Sequence, residues 1–335
     1  MAAPRVTFLH AVCLLLVVCL VCGGAVERSF AQAKKAAAAK KPAKTDEDED
    51  KPAPPEDVAL DTEDGVKLAV TYYAGMKGKD SIPVVLIHGR KESRKDYLKL
   101  AVELQGTLGC TVIVPDLRGH GDSKTTASGK KIDADDRTFG RNYPLMVTQD
   151  MKAVKDFLWE KNNAKELNID KLCMVGADIG ALITLNYAAF DSVGYEQGTA
   201  KYGPLQLGGF LKAMVLISPL YNFKGLSAKP ALDNVVVRGD IPIMFLVGKQ
   251  SPKALAEATR IRKAMDAYHP TPDADHKDQQ TLFFGQLDTS LQGAKLLDEP
   301  SLKVSGHIRQ FITLRLIKGI DAKTYAWKER KRPHE

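Results

Sequence analysis

The stretch Leu172 to Phe190, LCMVGADIGALITLNYAAF, decides how the rest of the chain is read. It opens with the apolar run Leu172 to Val175 and turns through Gly176-Ala177-Asp178-Ile179-Gly180. It then continues from Ala181 to Ala189 with apolar residues at helical spacing. The expected local structure is a buried strand, a tight turn and a buried helix. The two glycines have a steric task, because strand and helix can pack closely only if the residues flanking Asp178 are small. Asp178 itself stands at the tip of the turn.

Outward from this element, apolar runs alternate with amphipathic segments. Ile82 to Ile87, Thr111 to Pro115, Ala213 to Ser218, Ile241 to Gly248 and Thr281 to Leu287 read as further buried strands. Helices are expected over 96–105, 146–161, 254–267 and 306–317. VALDT and VKLAVTYYAG flank Glu63-Asp64-Gly65, a hairpin signal that adds antiparallel strands at one edge. Buried strands alternating with helices imply a mostly parallel sheet covered on both faces. In such sheets ligands bind beyond the carboxyl ends of the strands. Chemistry is therefore expected at His88-Gly89-Arg90, Asp116 to Ser123, the turn at Asp178, and the segments after Ser218, Gly248 and Leu287.

The chain has 335 residues, 44% apolar and 27% charged, with a formal net charge of +7. That composition suits a globular core. The basic excess lies largely in Lys-rich tails with no accompanying nucleic-acid motif, so it reads as solvated surface and no nucleic acid is expected. Residues 1–33 read as a signal peptide: Arg5, the apolar run Ala11 to Val21, and Ala31-Gln32-Ala33 before Lys34. An uncleaved anchor is the rival. Export to the periplasm or medium is expected, with no membrane span once the signal is cleaved. Residues 34–57, rich in Lys, Ala, Pro and acid, read as a disordered linker. A domain is expected over 58–320, followed by a basic tail over 321–335 that is frayed from Lys328 to Glu335. Of five cysteines only Cys110 and Cys173 lie beyond residue 33, both beside strand runs, and two buried free thiols are expected. No metal motif or cofactor signature occurs.

Four strings in this order resemble the α/β-hydrolase superfamily in its esterase and serine-aminopeptidase-like branch: LIHGR, VIVPDLRGHGDS, VGADIGALITL and SLQGAKLLDEPSLKVSGHIRQFI. The resemblance covers about Val58 to Ile320. It implies an α/β-hydrolase fold, without a full lid because only Pro219 to Asp240 separates two strands. It also implies a nucleophile elbow at Asp178, where the family carries Ser in G-x-S-x-G. The acid position falls on Ser251 and the His position on Gln292, so all three triad positions depart from the family pattern. The oxyanion-hole amides fall on Arg90 and Ile179.

An Asp at the elbow also resembles the dehalogenase and epoxide-hydrolase branches, where a carboxylate attacks carbon and a His-activated water hydrolyses the ester. Gln292 offers no such base. Of the histidines, only His88 and His120 lie on the correct side of the sheet and are the candidate substitute bases; both also suit loop packing. Asp178 equally suits a purely structural role, since Asp tolerates positive φ and is stabilised at a helix N-terminus. The expectation is a hydrolase-like binding or scaffolding relative in the cell envelope, with a small molecule or an envelope protein as partner. The alternatives are an active hydrolase using Asp178 and a protein-interaction module.

Overall fold

The computed structural model describes residues 51–193, 197–199, 203–205, 209–319 and 325–331. The expected signal over 1–33 and most of the expected linker lie outside them. Eight strands build the sheet: β1 Glu56–Asp61, β2 Val66–Tyr73, β3 Pro83–Ile87, β4 Thr111–Pro115, β5 Leu172–Ala177, β6 Leu211–Ile217, β7 Ile243–Gly248 and β8 Leu282–Leu287. Their order is β1-β2-β4-β3-β5-β6-β7-β8, with Thr125–Thr126 adding a short pairing to β2. From β4 to β8 every neighbour is parallel; β1 and β2 are the antiparallel edge. β1 begins at Glu56, two residues inside the stretch read as linker, because Glu56 and Asp57 pair with Tyr72 and Thr71.

The principal helices are α1 Leu98–Leu108, α2 Met151–Asn163, α3 Ile179–Val193, α4 Pro252–Lys263 and α5 Val304–Ile312. Side-chain alternation sorts them onto two faces. Val85, Ile87, Leu172 and Met174 point to one core with Val154 and Leu158 of α2, Leu182 and Leu185 of α3, and Ile261 of α4. Val84, Leu86, Cys173 and Val175 point to the other, with Leu100 and Leu104 of α1 and Ile308 and Phe311 of α5. Strands buried on both faces explain why these segments read as unbroken apolar runs. Leu98 and Val102 are exceptions: both are half exposed on the outer side of α1.

Between β6 and β7 stand only a two-residue hairpin and two five-residue helices, Lys229–Asp233 and Val235–Gly239. Cys110 and Cys173 are free and buried, and burial pushes the Cys110 thiol up to about 12. Among the described residues no helix is long and apolar enough to cross a membrane.

The C-terminal segment is docked where fraying was expected. Trp159 Nε1 donates to the Arg330 carbonyl at 3.2 Å, Trp327 Nε1 donates to the Asn162 carbonyl at 3.1 Å, and Arg330 forms a buried ion pair with Asp170. Two indole donors and one guanidinium fasten residues 325–331 to α2 and the segment before β5. A reading that weighed only the basic charge of this tail missed them.

Candidate active site

The turn at Asp178 has the geometry its glycines demand. Asp178 sits at φ +53°, between β5 and α3. A β-carbon on Gly176 would stand 2.3 Å from the Gly180 carbonyl oxygen, and one on Gly180 would stand 2.3 Å from that of Ile87. Neither contact is tolerable, so only glycine lets α3 start this close to β5 and β3. The Asp178 amide donates to the Ile217 carbonyl at 2.9 Å and fixes the turn against β6. Ile179 opens α3 with its side chain fully buried.

Asp178 is half-buried, and its Oδ2 accepts the Arg90 amide at 3.3 Å. This is the amide assigned on sequence to an oxyanion hole, and the elbow's own carboxylate occupies it. The Arg90 side chain is exposed and lies over the Phe223 ring, 5.9 Å from its centroid.

Gln292 lies where the His position was expected, on the loop after β8. Its Oε1 accepts the Ser218 hydroxyl at 2.7 Å, and its Nε2 donates to the Gly248 carbonyl at 2.9 Å. Ser218 is buried at φ +48°, just past β6, and its hydroxyl also accepts the Gly293 amide at 3.1 Å. Gln292 is bonded to Ser218, just past β6, and not to Ser251, the residue matched to the family's acid position. Ser251 stands at the start of α4, where its amide shares the Gly248 carbonyl at 3.3 Å. Its hydroxyl has no hydrogen-bond partner among the described residues. Gln292 and Ser251 thus meet at Gly248, while among the described residues no hydrogen bond joins either to Asp178.

The two candidate bases fare differently. His88 Nδ1 donates to the Gly89 carbonyl at 2.7 Å, and its Nε2 accepts the Leu117 amide at 3.0 Å. An amide can only donate, so the ring is the neutral Nδ1–H form. Burial pushes His88 down to about 4. With both nitrogens engaged inside the protein, His88 takes no proton from a substrate, which corrects its candidacy. His120 packs on His88 with ring centroids 5.2 Å apart, and its Nδ1 bonds the Arg118 carbonyl at 3.0 Å. Its Nε2 is buried without a partner, and burial lowers its basicity.

The remaining histidines among the described residues lie away from these turns: His269 bonds Thr281 just before β8, His276 bonds Asp273, and His307 is exposed on α5. Asp116 accepts the amides of Arg94 at 2.7 Å and Asp122 at 2.9 Å, a loop-holding role. The Asp122 carboxylate pairs with the Arg94 guanidinium at 2.8 Å instead of with loop amides.

A residue absent from the sequence reading joins the two sides of the crevice. Glu92 Oε2 accepts the Gly89 amide at 2.6 Å, and Oε1 accepts the Ala294 amide at 3.1 Å. Burial first, and then the neighbouring Asp178 charge, push the Glu92 carboxyl above its ordinary range, although both amides pull it down. Its only sequence signal was a carboxylate three residues past Gly89. Beside it opens a cleft of about 450 Å³ bordered by Arg90, Lys91, Glu92, His120, Lys124 and Asp135. Among the described residues no cluster of His, Cys, Asp and Glu is arranged to hold a metal ion.

A parallel sheet with a glycine-flanked turn after β5 and functional loops at its carboxyl ends defines the class. Residues 82–232 match the family described as the alpha/beta hydrolase fold. The chain is an α/β-hydrolase-fold protein.

Two uncharacterized proteins from strains of Mycobacterium tuberculosis are each 33% identical over 81 residues, which is 24% of this chain and 28% of theirs. The chain thus spans little more than a quarter of the length of these curated relatives. Among solved structures, an esterase of Pyrococcus furiosus is 15% identical with a TM-score of 0.52, over 78% of this chain and 92% of its own. A dienelactone hydrolase of Anabaena variabilis is 16% identical with a TM-score of 0.53, over 79% and 97%. A metagenomic carboxylesterase, EstE1, is 13% identical with a TM-score of 0.52, over 87% and 96%. At these identities the likeness is one of fold.

Proposed function

We propose that this chain is an exported α/β-hydrolase-fold protein without ordinary serine-hydrolase activity, acting as a binding or scaffolding relative in the cell envelope. The observation that supports this most directly is the state of Gln292. Both ends of its amide are bonded inside the protein, to Ser218 and Gly248. The position from which a triad draws its base is therefore filled by a group that neither takes nor gives a proton. The Asp178 carboxylate, standing on the Arg90 amide, takes the place of both hydroxyl nucleophile and bound oxyanion.

The expected result is no turnover of p-nitrophenyl acetate or butyrate above a denatured control, and no labelling by fluorophosphonate probes. Multiple turnovers abolished by Asp178→Asn would end this reading. Export has its own test. Intact mass of protein made in an exporting host should correspond to a chain starting at Lys34, and a mass that includes residues 1–33 would favour a retained anchor.

A second reading has one observation in its favour. Asp178 Oδ2 is held by an amide while Oδ1 has no hydrogen-bond partner among the described residues, an arrangement suited to attack on a saturated carbon.

A further inference from the structure

The crevice around Asp178 holds more negative charge than its surroundings balance. The positive end of α3 accommodates one carboxylate, and Asp178 supplies it. Glu92 is a second. The point where a β-carbon on Gly89 would stand is 2.7 Å from Glu92 Oε2 and 3.0 Å from Asp178 Cβ, so the two acidic side chains lie side by side. Among the described residues neither forms an ion pair. Like charges this close repel, and the Asp178 charge adds to burial in raising the Glu92 carboxyl. Both also keep unused acceptor capacity. Asp178 Oδ1 has no hydrogen-bond partner among the described residues, and each Glu92 oxygen spends one lone pair on an amide and keeps another.

The opposite wall adds a third acceptor. Tyr143 is fully buried, yet its hydroxyl has no partner among the described residues. Burial pushes this phenol up; the Arg90 charge opposes that, and the Asp135 and Asp178 charges add to it, so the hydroxyl faces the charged crevice. The Tyr143 ring meets the Phe223 ring edge to face, with centroids 4.9 Å apart. Arg90 lies over Phe223, and the Lys224 ammonium is 5.8 Å from the Phe223 centroid and 5.9 Å from that of Tyr143. The faces of these rings therefore already attract cations. Arg90 and Lys224 are exposed side chains that a ligand can displace.

We infer that this crevice binds the protonated amine of a small ligand with an apolar or aromatic body. This rests on the reading of the chain as a binding relative. An ammonium carries three donors and one positive charge. It offers donors to Asp178 Oδ1, Glu92 and Tyr143 Oη, and its charge relieves the repulsion between the two carboxylates. The body of the ligand lies against Phe223. A neutral alcohol brings one donor and no charge, and a carboxylate brings a third negative charge.

The test titrates the full chain with benzylamine, benzyl alcohol and benzoate at neutral pH and follows the backbone amide resonances of Arg90, Asp178 and Ile179. Benzylamine, protonated there, should shift all three saturably and bind at least about tenfold more tightly than benzyl alcohol. Benzoate should leave them unmoved. Asp178→Asn keeps the left-handed turn and removes one charge, and Glu92→Gln removes the other; each should weaken benzylamine by about tenfold or more. Tyr143→Phe, which keeps the ring, should weaken it by a smaller factor. Should Glu92→Gln unfold, as its amide spectrum would show, Asp178→Asn carries the same comparison. Equal affinity for benzylamine and benzyl alcohol, stronger binding of benzoate, or no shift with any probe overturns the ammonium site. So does a benzylamine affinity that survives unchanged in Asp178→Asn. Ester turnover or fluorophosphonate labelling of the same preparation ends the binding reading instead, whatever the titrations show.

Discussion

The Ser218 hydroxyl donates to Gln292 Oε1 at 2.7 Å, which makes a neutral serine–glutamine pair the link between the loops after β6 and β8. Ser218 is buried, and the same hydroxyl receives the Gly293 amide. Gln292→Leu removes the acceptor of Ser218 and the side-chain donor to Gly248. The Gly248 carbonyl keeps the Ser251 amide, but the buried Ser218 hydroxyl loses its acceptor, which costs about 1–3 kcal/mol. The expected outcome is a lower urea midpoint with an unchanged slope, and no gain or loss of esterase signal. A midpoint within error of wild type would show that the pair contributes nothing to stability.

Asp178 at φ +53° makes a second prediction. Asn adopts this region almost as readily as Asp, whereas a β-branched side chain is strained there. Asp178→Asn should keep nearly all the stability, and Asp178→Val should lose about 1–3 kcal/mol. Chemical denaturation of the two variants side by side measures the difference. Equal stability would mean that the turn relaxes out of its left-handed conformation.

His88 supplies a pH dependence. Its folded form is pushed down to about 4, below the unfolded value of about 6.5. The unfolded chain therefore binds the proton first. The stability contributed by the neutral ring is fully present above about pH 6.5 and is lost as the pH falls toward 4. The imidazole resonances of His88 should stay those of the Nδ1–H form from pH 7.5 down to pH 5. A titration centred near 6.5 would contradict the two hydrogen bonds that hold the ring.

A final prediction concerns the docked C-terminal segment. Ending the chain at Gly319 removes Trp327 and Arg330, uncovers the Trp159 indole and leaves Asp170 without its buried partner. Losing one side of a buried ion pair typically costs about 3–5 kcal/mol. The shortened chain should melt at a lower temperature, and the emission of Trp159 should shift to the red. Unchanged melting and emission would mean that the segment is not docked in solution.

The sheet was legible because its strands are buried on both faces and therefore spell unbroken apolar runs, as IPVVLI and IPIMFLVG do. The turn at Asp178 was legible because two glycines mark a contact that no other residue survives. The positions of Gln292 and Arg90 followed from their loops. Hydrogen bonds that depend on how loops fold toward one another were not legible. Ser218 reads as the last letter of an apolar strand, and nothing in AMVLIS says that its hydroxyl turns toward Gln292. Glu92 reads as a surface charge among Lys91, Ser93 and Arg94, yet it holds both the Gly89 amide and that of Ala294, 202 positions further along the sequence. The tail failed for a related reason: its charge was visible, but the Asn162 carbonyl that receives the Trp327 indole is placed only once α2 has formed.

Neither Ser218 nor Gln292 ionises between strong acid and strong alkali, so their corner of the crevice keeps one hydrogen-bond pattern across that range. A His–Asp pair there would change charge with its surroundings, whereas this pair presents the same two dipoles to the crevice at every pH between those limits.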